Sequence, residues 1–147
     1  LGQGDVRGAR RIDDRLRPAG MNPADRFARL PDLLAADADL RRRGRWLSTD
    51  CRIDIGTEPF YLAVRDGDFR TLERGPRLMR AVAFSIRATD DAWRQHWRTL
   101  PEPGWHDLFA LTKRGVASME GDLRPLLQNL QYFKDLLALP RRLPEDG

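Results

Sequence analysis

Phe84-Ser-Ile-Arg-Ala-Thr-Asp-Asp-Ala-Trp93, followed across a proline/glycine break by Gly115-Val-Ala-Ser-Met-Glu-Gly-Asp122, decides how this chain is built. Phe84 and Ile86 alternate with Ser85 and Arg87, the period of a strand with one buried face. Thr89 is a good N-cap, and Asp90 and Asp91 would fill the first helical turn, where the helix dipole favours negative charge. Trp93 and Trp97, four residues apart, share a face of that helix. Pro101-Glu-Pro-Gly104 ends the unit. A short helix over Trp105–Arg114, with Leu108, Phe109 and Leu111 inward, then leads to a strand over Val116–Glu120. Asp122 is placed to cap a last helix carrying Leu126, Leu127, Leu130, Phe133, Leu136 and Leu137 on a broad apolar stripe that ends at Pro140.

Working outward toward the N-terminus, a fourth strand is expected over about Leu78–Arg87, with Val82, Phe84 and Ile86 on one face and Ala81, Ala83 and Ser85 on the other. Gly75-Pro76 separates it from a hairpin whose strands, Phe60–Val64 and Phe69–Glu73, flank Asp66-Gly67, a favoured tight-turn pair. Leu47, Thr49, Cys51, Ile53 and Ile55 alternate with polar residues and predict a further half-buried strand. Cys51 falls on its inner face and reads as a small buried hydrophobe. Before it, Phe27, Leu30, Leu34 and Ala38 recur at helical spacing from an Asn22-Pro23 start. Pro31 is able to kink or divide that segment, and Gly44 closes it. The pattern predicts an α+β fold with a five-stranded, mainly antiparallel sheet covered by helices.

A chain of 147 residues is enough for one domain with a substantial apolar core. No apolar run approaches the roughly 20 residues needed to span a bilayer, so stable membrane insertion is not expected. The opening Leu1-Gly-Gln-Gly-Asp-Val-Arg-Gly8 lacks the apolar region of a secretory signal, and the lone cysteine builds no disulfide framework, which together favour a cytoplasmic location. Of the net charge of +4, half belongs to residues 1–20, read as a basic tail ahead of a domain at 21–140 and a polar C-terminal tail at 141–147. Met21 reads as the true start of the domain, and the preceding residues as upstream sequence. Nearly all basic residues are arginine, with Lys113 and Lys134 the two lysines, a usage that a GC-rich bacterial genome produces without functional demand. The dense cluster Arg41-Arg-Arg-Gly-Arg45 sits at a helix C-terminus, where the dipole favours cations, and does not by itself indicate nucleic acid.

Catalytic signatures are missing from the sequence. His96 and His106 lack the Cys, His or Glu neighbours of a zinc site, so no metal or other cofactor is expected. His106-Asp107 is not a triad by adjacency, and there is no G-x-S-x-G elbow. Asp90 and Asp91 point about 100° apart on a helix and do not converge as an acid/base pair. Gly2-Gln-Gly-Asp-Val-Arg-Gly8 precedes no strand–helix unit that would cradle a dinucleotide. The remaining feature is an aromatic set on successive helical segments, which periodicity reads equally as a filled core or as a lined apolar cavity.

Taken in order, Phe60-Tyr-Leu-Ala-Val-Arg-Asp-Gly67, Ala83-Phe-Ser-Ile-Arg-Ala-Thr-Asp-Asp-Ala-Trp93 and Gly115-Val-Ala-Ser-Met-Glu-Gly-Asp122 resemble the sterol-carrier-protein type lipid-binding domain over about Asn22–Leu139. The resemblance implies an apolar tunnel for fatty acyl chains, sterols or isoprenoid lipids, which are carried without chemistry. It implies a lipid contact set of Phe60, Leu62, Val82, Phe84, Trp93, Trp97, Phe109, Met119, Leu130 and Phe133, with the last helix as a lid. The alternative it carries is an accessory module of a lipid- or quinone-modifying assembly, with the groove occupied by a protein partner. An enzyme using His96 or His106, and a nucleic-acid binder using Arg41–Arg45, are the readings that oppose it.

Overall fold

The sheet grows from its tightest turn. In the computed structural model, which describes residues 21–145, Asp66 and Gly67 take φ of 54° and 80°. Positive φ at both central positions is what a two-residue type I′ hairpin requires, so β2 (Glu58–Arg65) folds back onto β3 (Asp68–Arg74). On its other side β2 pairs antiparallel with β1 (Ser48–Ile55), placing Cys51 opposite Leu62 and Ile53 opposite Phe60. β4 (Phe84–Ala88) joins β1 in parallel, and β5 (Ala117–Gly121) closes the far edge antiparallel to β4. The order is β3-β2-β1-β4-β5, a five-stranded mixed sheet in an α+β fold. The tail expected over residues 1–20 lies outside the described residues.

Strand alternation places Cys51, Ile53, Ile55, Phe60, Leu62, Val64, Phe84 and Ile86 on one buried face. Helices cover that face. Pro31 divides the first helical stretch into α1 (Pro23–Phe27) and α2 (Leu30–Ala35), because proline suits the first turn of a new helix and not the interior of an old one. α3 (Ala38–Arg43) follows, with the Asp37 carboxylate accepting from Leu40 N at 2.9 Å. The remaining helices are α4 (Asp90–His96), α5 (Leu108–Lys113), α6 (Arg124–Gln128) and α7 (Leu130–Leu137), followed by a 3₁₀ turn (Leu139–Arg142). Among the described residues, no helix is long and apolar enough to cross a membrane.

The structure corrects four local expectations. The fourth strand begins at Phe84 and not near Leu78. After Gly75-Pro76 the chain crosses the outer face of the sheet, where Arg80 lies over the Tyr61 ring, and Met79 takes a left-handed φ of 57°, which breaks any strand. Leu78 and Met79 are 93% and 92% exposed as a result. α5 starts at Leu108 because Asp107 is its N-cap, its carboxylate accepting from Phe109 N at 3.0 Å. That phase turns Leu108 and Leu111 inward and leaves Phe109 36% exposed, contrary to its expected inward position. The last helix is two helices, broken where Asn129 adopts φ −128° and ψ 39°, and Leu127 faces out at 54%. Asp122 accepts from Arg124 N at 3.1 Å, but Leu123 stands at the cap position itself.

Candidate functional site

The candidate site is the apolar layer between the inner sheet face and α4 with α7, and local capping builds it. Thr89 Oγ1 accepts from Ala92 N at 3.0 Å, with Asp90 and Asp91 in the first turn, fixing the phase of α4. Trp93 and Trp97 consequently lie on the buried side and stack on each other, with ring centroids 5.1 Å apart and planes at 25°. Each indole nitrogen donates to a backbone carbonyl of another element. Trp93 Nε1 reaches Asp54 O at 3.0 Å, and Trp97 Nε1 reaches Leu137 O at 2.7 Å. These bonds satisfy the polar tips that aromatic burial would otherwise strand, and they tie α4 to β1 on one side and to α7 on the other.

From Trp97 the aromatic contacts continue to Phe27 at 6.1 Å, and Phe27 meets Phe60 edge-on at 4.8 Å. A second cluster joins Phe84 to Phe133 edge-on at 5.4 Å, with Tyr132 5.5 Å from Phe133. Six of the residues named from sequence, Phe60, Leu62, Phe84, Trp93, Trp97 and Phe133, are thereby brought together and fully buried. Met119 and Leu130 pack half-buried at the margin of the same core. Val82 and Phe109 do not join it. Val82 sits in the crossover beside Ser48–Asp50 and Arg65, and the Phe109 ring lies 5.2 Å under Lys134 Nζ at the surface.

Two recesses flank the layer. A cleft of about 220 Å³ is lined by Met21, Pro23, Arg26, Arg94, Gln95, Trp97, Arg98 and Glu145. A wider groove of about 480 Å³ runs past Gly56, Thr57, Arg87–Asp90 and Gly115–Ser118. Of the ten residues named from sequence, Trp97 alone borders either. Within the layer the rings touch in two clusters, Phe27, Phe60, Trp93 and Trp97 in one and Phe84, Tyr132 and Phe133 in the other.

Sequence reasoning missed Tyr132 and the polar side of His96. The Tyr132 hydroxyl donates to Gly67 O at 2.7 Å, and its ring lies where a side chain at Gly44 would be, 2.4 Å from an ideal Cβ. This contact pins α7 to both α3 and the hairpin turn, and no local pattern announces it. His96 is 2% exposed, with Nδ1 2.9 Å from Trp105 O and Nε2 without a partner. Burial pushes its pKa down to about 4, against the pull of the Trp105 carbonyl. Cys51 is fully buried, and burial, with Asp50 nearby, pushes its thiol up to about 12, the opposite of a reactive thiolate. Among the described residues no three His, Cys, Asp or Glu side chains gather as a metal site. The arginine cluster is spent on structure: Arg41 Nη1 donates to Leu34 O and Ala35 O, Arg42 and Arg43 pair with Asp39, and Arg43 also reaches Asp135.

The sequence matches no protein-family model and no curated protein. Solved structures give a clear answer on the fold. Sterol carrier protein 2 superposes with a TM-score of 0.61 at 14% identity, covering 81% of this chain and 95% of that one. A structure described as UbiJ-SCP2, a ubiquinone synthesis protein, superposes with a TM-score of 0.51 at 18% identity, covering 80% and 88%. The fold of this chain is that of a sterol-carrier-protein domain, as the order of its motifs implies.

Proposed function

We propose that this protein binds or transfers a long apolar molecule, a fatty acyl, sterol-like or isoprenoid lipid, without performing chemistry on it. The observation that carries the reading is the sterol-carrier fold itself, matched along nearly the whole of the sterol carrier protein 2 chain. The internal chemistry is consistent with it. The layer under α4 and α7 offers aromatic and aliphatic surface, and burial holds Cys51 and His96 neutral rather than poised for nucleophilic or acid/base work. Burying a methylene is worth roughly 0.8 kcal/mol, so about ten of them reach the micromolar range without a charged anchor. Phe60, Leu62, Phe84, Trp93, Trp97 and Phe133 form the proposed contact surface, with Met119 and Leu130 at its rim and Val82 and Phe109 at its outer approaches. The unit that carries this activity is proposed to be residues 21–140.

A second reading has its own observation. The fold is shared with a ubiquinone synthesis protein, and the rings of Phe27, Trp93 and Trp97 stack on one another inside the layer. Both features suit an accessory module that docks on a protein of a lipid- or quinone-modifying assembly. Native mass spectrometry of the purified protein, followed by organic extraction and mass analysis, separates the two. A reproducible long-chain adduct is the expected result and identifies the ligand class. Protein that carries no adduct and takes up no added acyl chain overturns the carrier reading in favour of the accessory one.

A further inference from the structure

Among the described residues, His96 Nε2 is the one buried side-chain nitrogen or oxygen with no hydrogen-bond partner. Buried polar atoms are nearly always paired, so an orphan in an otherwise satisfied interior asks for an occupant. The ring is not free to find one itself. Its Nδ1 lies 2.9 Å from Trp105 O, and Arg141 clamps the His96 carbonyl with Nε and Nη2 at 3.0 and 2.7 Å. The Trp93 ring stands edge-on 6.0 Å away.

This geometry makes the missing partner a proton donor. A carbonyl oxygen only accepts, so Nδ1 must carry the ring proton, and in the neutral imidazole Nε2 then presents a lone pair. A hydrocarbon, an ether or a thioester brings that lone pair no proton. A carboxylate brings it a second set of lone pairs and a buried charge. An uncharged head that donates a proton satisfies it, and the simplest such head on a long-chain lipid is a hydroxyl.

We infer that the ligand of this protein is a neutral long-chain lipid bearing a hydroxyl head, and that His96 Nε2 is the acceptor that holds this head at the junction of α4, the 98–107 connection and the C-terminal 3₁₀ turn. The inference rests on the carrier reading above and names the ligand class within it. Solvent does not reach Nε2 in this structure, so the head arrives as contacts that close the junction, among them Trp97 to Leu137, Arg141 to His96 and Arg26 to Pro140, separate. The apolar tail then lies along the aromatic layer, whose Trp93 ring adjoins the histidine.

The test compares 1-hexadecanol with hexadecyl methyl ether, matched in tail and differing in the O–H, by fluorescence titration of the intrinsic tryptophans. The wild type is expected to bind the alcohol at least fivefold more tightly, since a site built around a hydroxyl rejects an analogue that lacks it. His96→Phe is expected to bring the two affinities together. His96→Gln, whose amide oxygen extends to the Nε2 position, retains the preference. Should His96→Phe fail to fold, the ¹⁵N resonance of His96 Nε2 in wild-type protein decides the matter: it shifts on addition of the alcohol and not of the ether. Equal affinities in the wild type, or a preference that survives in His96→Phe, overturn the inference, leaving a trapped water as the partner of Nε2. Binding of neither compound overturns the carrier reading itself, and the inference with it.

Discussion

Replacing Phe133 by Ala asks whether the layer under α7 is packed solid. The side chain is completely buried, edge-on to Phe84 at 5.4 Å and beside Tyr132 at 5.5 Å, so its removal strips contacts from both the sheet and its own helix. In a filled layer, Phe→Ala removes the transfer free energy of a phenyl ring and leaves a cavity, about 3–5 kcal/mol together. For a domain of this size that corresponds to a fall in Tm on the order of 15 °C. Urea denaturation gives the free energy through the midpoint at constant slope, and calorimetry gives Tm. The same protein titrated with 1-hexadecanol reports the functional side, since truncation beneath α7 also removes proposed ligand surface. A stability loss below about 1 kcal/mol would mean that the ring already borders open space, refuting the filled layer. A loss of full size with unchanged affinity would take Phe133 out of the ligand's path.

Trp97→Phe keeps the stack on Trp93 but deletes the donor to Leu137 O, and the unsatisfied carbonyl is expected to cost about 1–3 kcal/mol, with amide exchange accelerating first in α7 and the 3₁₀ turn. Stability should also respond to pH through His96. Its pKa is near 6.5 in the unfolded chain and about 4 in the fold, so between these values the unfolded state binds more protons and stability rises with pH. Going from pH 6.5 down to 4 forfeits about 3 kcal/mol through this group. The difference between wild-type and His96→Gln denaturation profiles isolates this from the carboxylates, and parallel profiles would refute it. Gly44→Ala places a methyl group against the Tyr132 ring, and is expected to destabilise by about 1–3 kcal/mol while freeing the Tyr132 hydroxyl from Gly67. An unchanged denaturation midpoint would show that the ring moves aside without cost.

Local chemistry made much of the fold legible. Asp66-Gly67 announces its hairpin because few other pairs tolerate φ of 54° and 80° in succession. Thr89 with Asp90 and Asp91 announces α4, and through it the stacking of Trp93 on Trp97. The misreadings share one cause, a phase reset by something the apolar pattern does not encode. Val82 continues the alternation of Phe84 and Ile86, yet it precedes the ladder, because Pro76 and the left-handed Met79 carry the chain over the outer face of the sheet. Phe109 loses its inward place to the Asp107 cap, and Leu127 to the break at Asn129. The Tyr132–Gly67 bond and the unpartnered nitrogen of His96 join or isolate groups through tertiary placement alone, and so left no trace in spacing. Periodicity identified which way Phe60, Phe84, Trp93 and Phe133 face. Whether they touch depends on the distance between layers, which the sheet and helix termini set.

A filled layer and an apolar ligand are compatible if opening the layer costs less than the ligand returns. At the C-terminal end of α7 and in the 3₁₀ turn after it, the polar ties include the Trp97–Leu137 bond, the two bonds from Arg141 to the His96 carbonyl, the three from Arg26 to Pro140 O, Leu143 O and Pro144 O, and the Arg142–Asp37 ion pair. At about 1 kcal/mol net for each, separating all seven costs on the order of 7 kcal/mol. The apolar faces parted at the same time are covered again by the ligand, so their burial largely cancels. About nine buried methylenes, at roughly 0.8 kcal/mol each, offset the polar ties if all of them part, and every further methylene adds affinity. α7 is also held near its N-terminal end by Tyr132 on Gly67, and in its C-terminal half by Lys134 on Asp107 and Arg43 on Asp135. Access to the unfilled acceptor of His96 therefore requires the 3₁₀ turn and the last residues of α7 to part from α4, a separation that Lys134 on Asp107 and Arg43 on Asp135 oppose and that ligand burial must offset.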